Sequence, residues 1–312
     1  MSSNLQGTLY TFASAACLAV TFVASKQALR ELSPLGFSAI WFMLASLWGL
    51  GYYLIQPNKV SLASLKPHRR TLFLLGLSSS VANYFFFGAI KLGDPTVVAF
   101  FSRSETIFAL LMGVILLGEQ MTGLQWLGAI IAIMGAGLMT YQGGSLIWTV
   151  LGLSLLGNFF NALTSYIAKR NVTNIQPLIL GISRTVVLTL CLGAFALLLG
   201  ELAWPSNRAL LWLAGGSFFG PFLSYFLFYK GMVSLDIGQA AIIRATQPLF
   251  VALYSFVLLG ALVSRQQFVG GMVILAGVVM ILWSNRSAQP LKREWPTAQE
   301  YQKLNLEEKI PE

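Results

Sequence analysis

The sequence predicts an all-α, polytopic membrane protein with ten transmembrane helices, arranged as two inverted five-helix repeats. The class follows from composition: the 312 residues are 56% hydrophobic and only 10% charged, with a mean hydropathy of +0.71. Soluble domains are about 25% charged, and a soluble core of this length could not bury so much apolar surface. The repeat follows from a similarity between the two halves of the chain.

Ten apolar segments each approach the roughly 20 residues that cross a bilayer core. They are residues 7–28, 35–55, 72–91, 94–119, 123–141, 146–168, 177–199, 209–229, 237–259 and 267–283. The predicted units are therefore a first repeat, 1–143, a second repeat, 144–284, and a charged tail, 285–312. The tail is rich in proline and charge and is predicted to be disordered and cytoplasmic.

Each span carries a local feature that delimits or patterns it. In chain order these are the stripe Thr11, Ser14, Thr21 and Ser25; Pro34 at the start of the second span; Asn83 in the third; Arg103 and Glu105 in the fourth; Gly128 and Gly135 in the fifth; the stripe Ser154, Asn158, Asn161 and Ser165; Pro177 and Arg184; the Gly220–Pro221 interruption of the eighth; Asp236 before the ninth; and Gly270 and Gly277 in the tenth. Polar residues three, four and seven apart share one helix face. Glycines allow membrane helices to approach closely. Gly220–Pro221 indicates a kink or, alternatively, a gating hinge.

The formal charge of +9 reflects membrane orientation rather than nucleic-acid binding. If the N-terminus is inside, the inner loops and the adjoining tail hold Lys59, Lys66, Arg69, Arg70, Lys169, Arg170, Lys230, Arg286, Lys292 and Arg293. The outer loops then hold Lys26, Arg30, Lys91, Arg208 and Arg265. Because Lys and Arg concentrate in cytoplasmic loops, both termini are expected in the cytoplasm and the protein in the cell membrane.

The two halves of the chain align at a nearly constant offset. Matched pairs are Asp94 with Asp236, Glu105 with Gln247, Phe108 with Phe250, Gly128 with Gly270 and Gly135 with Gly277 at an offset of 142, and Lys26 with Lys169 and Pro34 with Pro177 at 143. A register that also aligns Asp, Lys and Pro indicates duplication. Each half has an odd number of spans, so the second half enters the membrane from the opposite side. Such inverted repeats are typical of secondary transporters with a site near the bilayer midplane.

These features resemble the drug/metabolite transporter superfamily, specifically its EamA-type members. The resemblance covers residues 7–283 and rests on the two five-span halves, the LLGE sequence ending the fourth span and the QPLF sequence of residues 247–250. It implies a ten-helix alternating-access transporter, often an exporter of amino acids or other small metabolites. The first half lacks the Pro that the family has near Thr106, the second half has Ala261 where the first has Glu119, and the second span has Trp41 where the second half has Arg184. These departures leave the substrate open.

Four ionisable residues lie deep within the spans: Arg103, Glu105, Arg184 and Arg244. A charge at that depth costs about 2.5–3.5 kcal/mol or more, so compensating surroundings are required. Three arginines against one glutamate predict a cavity that favours a carboxylate or phosphate, which guanidinium groups bind in a bidentate manner. An amino acid also fits, with its ammonium near Glu105. The repeat further predicts that Glu105 approaches Arg244; alternatively, Glu105 pairs with an arginine only to lock helices.

The remaining candidate substrate-binding residues are Gln247, Asn83, Asn158, Asn161 and Trp41. The asparagines could line the path or only join helices through hydrogen bonds. Proton coupling through Glu105 and facilitated diffusion both remain open.

The expected partners are a small, carboxylate-bearing solute and the lipid bilayer, without nucleic acid; a homodimer is left open. Two distant cysteines and a single histidine do not predict a metal site, and no cofactor is expected. A membrane enzyme would need a nucleophile with a base, or a metal cluster, and the spans contain no histidine. A flippase for a lipid-linked head group is the nearer alternative, and a channel a weaker one.

Overall fold

The computed structural model describes residues 3–56, 66–92, 101–102, 104–118, 120–140, 147–259 and 265–284. Within these ranges the chain is helical and contains no β-strand. The helices are α1 (Ser3–Ala28), α2 (Pro34–Ile55), α3 (Arg69–Leu92), α4 (Ser104–Leu117), α5 (Gly123–Thr140), α6 (Ile147–Asn171), α7 (Pro177–Leu198), α8 (Asn207–Ser217), α9 (Tyr225–Met232), α10 (Ile237–Arg244), α11 (Gln247–Leu259) and α12 (Arg265–Ser284). The predictions for Arg103 and for the tail fall outside the described residues.

Seven helical stretches of the described chain are long and apolar enough to cross a membrane, and three shorter helices are apolar. The seven include α8 to α9 taken together and α10 to α11 taken together. The shorter ones are 107–116, 123–135 and 268–281, which lie in α4, α5 and α12. The described chain is therefore that of a multi-pass membrane protein.

Side-chain caps define several helix starts. The Ser33 hydroxyl accepts a hydrogen bond from the Gly36 N–H at 3.1 Å, and Pro34 occupies the first turn of α2. Ser206 caps α8 in the same way through the Ala209 N–H at 3.2 Å. Such caps satisfy N–H groups that have no partner within the helix.

The eighth span is distorted where Gly220–Pro221 predicted an interruption. A π-helical segment, Phe218–Ser224, contains Pro221 and joins α8 to α9. Pro221 has no N–H to donate to the helix, and a local π-helical turn accommodates that loss.

The ninth span is not the single helix that the sequence predicted. It breaks at Ala245 and Thr246, which form a turn between α10 and α11. Pro248 lies just beyond the break and lacks the N–H that would continue the helical ladder.

The first half has the matching break. Helical backbone at Phe101 gives way to a turn at Ser102, and α4 begins at Ser104. At each break a hydroxyl donates to the carbonyl three residues earlier: Ser104 to Phe101, and Thr246 to Ile243, both at 2.8 Å. These pairs correspond at the offset of 142.

Helix packing is reciprocal between the two halves. Helix α1 packs on the α8–α9 and α10–α11 spans of the second half, while its equivalent α6 packs on α3 and α4 of the first. Helix α2 packs on its equivalent α7, and α5 on its equivalent α12. The contacts of α2 with α8 and of α3 with α7 complete the pattern.

Helices α5 and α12 cross through glycines that are themselves repeat-equivalent. Gly128 lies against Gly277, and Gly135 lies against Gly270. A Cβ on Gly128 would be 2.7 Å from the Gly277 carbonyl oxygen, and one on Gly135 would be 2.8 Å from that of Gly270. Because rising numbers in α5 meet falling numbers in α12, the two helices run antiparallel.

Candidate functional site

A central cavity lies between the two halves and takes side chains from the first four spans of each. With its opening it encloses about 620 Å³ of empty space. Its lining comprises Leu18, Thr21, Phe22, Trp41, Phe42, Asn83, Phe86, Phe87, Ser102, Glu105, Asn158, Asn161, Arg184, Pro221, Tyr225, Arg244 and Gln247. Helices α5 and α12 contribute no lining residue among those described.

Eight of the nine candidate residues line this cavity. They are Trp41, Asn83, Glu105, Asn158, Asn161, Arg184, Arg244 and Gln247. Arg103, the ninth, lies outside the described residues. The structure therefore brings together residues that are up to 206 positions apart, from Trp41 to Gln247.

Arg184 is the most enclosed charge of the site. Its side chain, on the second turn of α7, is only 1% exposed. Its Nε donates to the Ser79 hydroxyl at 2.6 Å, while its Nη1 has no hydrogen-bond partner in the described chain. Its guanidinium carbon lies 3.5 Å from the centroid of the Tyr225 ring, a distance typical of a strong cation–π contact.

Arg244 ends α10 at the helix break and is 6% exposed. A cation at a helix C-terminus is favoured by the helix dipole. Its guanidinium carbon lies 4.6 Å from the Tyr225 ring and 4.3 Å from the Phe228 ring. Its Nε and Nη2 have no hydrogen-bond partner within the described residues.

The two guanidinium groups share one aromatic ring. Since 3.5 Å and 4.6 Å both end at the Tyr225 centroid, the two carbons are no farther apart than the sum of these distances. Two like charges about 8 Å apart repel by about 2 kcal/mol at an effective dielectric constant of about 20. The ring's negative face offsets part of this repulsion, so the site holds a local excess of positive charge.

Glu105 lies in the first turn of α4, is partly buried and faces the central cavity. A carboxylate in this position is stabilised by the N-terminal end of the helix dipole. Glu105, Arg244 and Gln247 also border a smaller cavity beside the break. Glu105 and Arg244, which the repeat predicted to approach each other, thus line the same two cavities, but among the described side chains they do not form an ion pair.

Asn83 and Asn158 differ in their hydrogen-bond partners. The Asn158 amide donates to the Phe101 carbonyl at 2.8 Å and to the Ser104 hydroxyl at 2.9 Å. It therefore ties α6 to the broken backbone before α4. Asn83 donates to the Ser79 carbonyl one turn earlier in α3, which leaves its amide oxygen for other partners.

Trp41 is 1% exposed, and its indole forms part of the cavity wall. A Cβ on Gly216 would collide with this ring, and one on Gly220 would come within 3.4 Å of it. Gly216 thus makes room for the indole just before the π-helical segment, while Gly220 makes room for the Thr21 hydroxyl.

Sequence reasoning did not propose Tyr225, Tyr229 or Ser79 for the site, and it noted Thr21 only as part of the polar stripe of the first span. The Tyr225 ring makes cation–π contacts with both Arg184 and Arg244. The hydroxyl of the fully buried Tyr229 has no hydrogen-bond partner in the described chain. The available signal was the spacing of Tyr225 and Tyr229, one turn apart on the span that contains Gly220–Pro221.

Known proteins resemble the chain in sequence and in fold. An uncharacterized transporter of Methanothermobacter thermautotrophicus (strain Delta H) is 24% identical over 211 residues, which cover 62% of this chain and 59% of that protein. The chain thus matches less than two thirds of this relative's length. A solved structure described as "Crystal structure of protein" superimposes with a TM-score of 0.76 at 16% identity, covering 90% of this chain and 97% of the other. At that identity the likeness shows the fold alone.

A family model matches each half of the chain separately. The model of the EamA-like transporter family matches residues 5–141 and again residues 148–283. The resemblance predicted from the two halves and their motifs is confirmed: the chain belongs to the EamA-like transporter family.

Proposed function

We propose that the protein is a secondary transporter that moves a small metabolite bearing a carboxylate or phosphate, by alternating access at the central cavity. One observation carries the solute class. Arg184 and Arg244 are buried at the cavity wall and keep unpaired N–H groups in the described structure. Buried guanidinium groups without a partner are costly, and an anionic group of the solute would compensate them.

The alternating-access mechanism is supported by the reciprocal packing. A two-fold axis lying in the membrane plane would make equivalent helices run antiparallel and exchange contacts, as α5 and α12 do through Gly128, Gly135, Gly270 and Gly277. Ten spans in two inverted repeats account for this arrangement, and matching helix breaks at the site are typical of such transporters. We further propose export across the cell membrane, with both termini in the cytoplasm.

Counterflow in proteoliposomes tests this proposal. Untargeted metabolite profiling of cells with and without the gene would first supply candidate solutes. Purified protein should then catalyse saturable exchange of a carboxylate- or phosphate-bearing solute. Arg184→Gln and Arg244→Gln should each lower that exchange by about tenfold or more, as expected for the loss of a charge-assisted hydrogen bond.

Arg170→Gln is the matched control. Arg170 is exposed at the end of α6, away from the cavity lining, so exchange should stay near the wild-type rate. Normal exchange by both cavity variants at normal expression would contradict the proposed solute class. Ion conductance would indicate a channel, and movement of phospholipid alone would indicate a flippase.

A further inference from the structure

We propose that Lys169 is a latch: it holds one end of the central cavity closed, and it releases when that end opens. The latched end is where α6 and α9 terminate, which is the cytoplasmic end in the proposed orientation. The inference rests on the proposed alternating-access function and adds a residue that positions helices without binding the solute. Its basis is a difference between repeat-equivalent residues at the two ends.

The cavity reaches farther toward one end than toward the other. Its middle is symmetric: Leu18 and Asn161 are repeat-equivalent, as are Asn83 and Tyr225, and all four line it. Beyond these pairs the lining continues in the first half, through residues closer to the ends of α1 and α3. These are Phe22, Phe86 and Phe87.

The equivalents of these three phenylalanines are closed off. They are Ser165, Phe228 and Tyr229, which are at most 4% exposed and do not line the central cavity; Phe228 borders the smaller cavity beside the break. Phe228 and Tyr229 belong to a buried apolar cluster that includes residues of α3, α4, α6, α9 and α10. None of its buried members lines the central cavity, which thus stops short of the ends of α6 and α9.

The repeat-equivalent lysines Lys26 and Lys169 differ in the same sense. Lys169, in the last turn of α6, donates from Nζ to the Met232 carbonyl at 3.0 Å and to the Leu235 carbonyl at 2.5 Å. These carbonyls lie at the end of α9 and just beyond it, where backbone acceptors lack partners within the helix and a cation is favoured. Lys26, in the last turn of α1, is exposed and has no hydrogen bond to the described chain.

Lys169 joins two helices that pack mainly on different neighbours. Helix α6 packs mainly on α3 and α4, whereas α9 packs mainly on α1, and α6 and α9 contact each other little. Separation of α6 from α9 would break both charge-assisted hydrogen bonds and expose the side chains buried behind them. An inverted repeat allows the two halves to exchange conformations, so Lys26 is expected to form the corresponding bonds at the other end when Lys169 releases.

Cysteine labelling of the purified full-length protein in lipid nanodiscs tests the latch. The parent protein carries Cys17→Ser and Cys191→Ser, which remove the two native thiols, and Ser165→Cys, which places a thiol of similar size behind the latch. A membrane-impermeant maleimide measures how often that thiol is exposed. Lys169→Gln should raise the labelling rate about tenfold, the population shift expected from loss of a charge-assisted hydrogen bond. Lys169→Arg keeps a charged donor and should label near the parent rate.

Three controls separate a latch from general loosening of the fold. Arg170→Gln removes the neighbouring exposed charge and should leave the labelling rate unchanged. Ser46→Cys, in place of Ser165→Cys, reports unfolding, because Ser46 is buried against Thr189 where α2 packs on α7 and does not line the cavity. Its labelling should stay slow with Lys169→Gln. Adding Lys26→Gln to Lys169→Gln should return the rate at position 165 toward the parent rate, because it weakens the opposite state.

Several results would refute the latch. They are parent-rate labelling with Lys169→Gln, equal gains in labelling at positions 165 and 46, and failure of both Lys169→Gln and Lys169→Met to fold, which would make the lysine purely structural. No effect of Lys26→Gln would refute its reciprocal role. If counterflow is normal while labelling does not change, the proposed function stands without the latch. The expected labelling change in a protein that exchanges no solute would support the latch and refute transport.

Discussion

Gly128 and Gly277 lie against each other where α5 crosses α12, and neither position has room for a side chain. A Cβ on Gly128 would be 2.7 Å from the Gly277 carbonyl oxygen, and a Cβ on Gly277 would be 2.5 Å from that of Gly128. The obstacle is backbone on both sides, so a rotamer change cannot relieve it.

Gly128→Val and Gly277→Val should therefore each destabilise the protein by about 1–3 kcal/mol, the usual cost of overpacking. Thermal unfolding of the purified protein measures the change. Gly152→Val is the control, because a Cβ on this exposed α6 glycine meets nothing within 4 Å. If Gly128→Val were as stable as Gly152→Val, the close crossing of α5 and α12 would be wrong.

Substitutions of Asn158 and Asn161 should have different effects, the first on stability and the second on transport. Asn158→Leu removes two hydrogen bonds at the helix break and should cost about 1–3 kcal/mol, since it leaves buried polar groups without their partner. Asn161 lines the cavity without a hydrogen bond to the described chain. Asn161→Leu should thus keep the unfolding temperature but raise the KM for exchange. If instead Asn158→Leu changed only the KM and Asn161→Leu changed only the unfolding temperature, Asn158 would contact the solute and Asn161 would stabilise the fold.

Glu105 should matter more for transport than for stability. Breaking a buried ion pair costs about 3–5 kcal/mol, but Glu105 and Arg244 do not form one among the described residues. Glu105→Gln should therefore cost less than about 2 kcal/mol and still slow exchange strongly.

A double-mutant cycle of Glu105→Gln and Arg244→Gln measures this relationship by unfolding and by exchange rate. The double variant should remain inactive. A coupling of several kcal/mol in unfolding would show a resident ion pair instead, and normal exchange by the double variant would reduce both residues to structural contacts.

Two reporter fusions test the inverted topology. A reporter placed after residue 283 should report from the cytoplasm, and one placed after residue 143 should report from the outer side, because five spans separate them. The Lys and Arg distribution predicts the same orientation. Reporters on one side at both positions would refute the inversion.

The sequence predicted eight of the seventeen residues that line the cavity, the charged ones because charges within apolar spans are rare and costly. Arg184, Arg244 and Glu105 stood out for that reason, and the helical stripe of Asn158 and Asn161 for its spacing. Tyr225 did not stand out, because an aromatic residue in an apolar span usually only packs. Its role arises from two arginines of different helices meeting at one ring, and no local pattern encodes that meeting.

The helix breaks were also beyond the sequence pattern. Apolar length predicted the ninth span as one helix, and membrane helices tolerate proline, so Pro248 did not by itself indicate a break. The repeat predicted that Glu105 approaches Arg244, but register does not determine the distance across a cavity. An ion pair therefore could not be deduced from it.

The contacts of Trp41 with Gly216 and of Thr21 with Gly220 link the cavity wall to the π-helical segment of the eighth span. The indole occupies the space that Gly216 leaves just before the π-helical segment, and the Thr21 hydroxyl occupies the space that Gly220 leaves within it. Trp41 and Thr21 both line the cavity. A change in the backbone of this segment would therefore press on two side chains that shape the space a solute would enter.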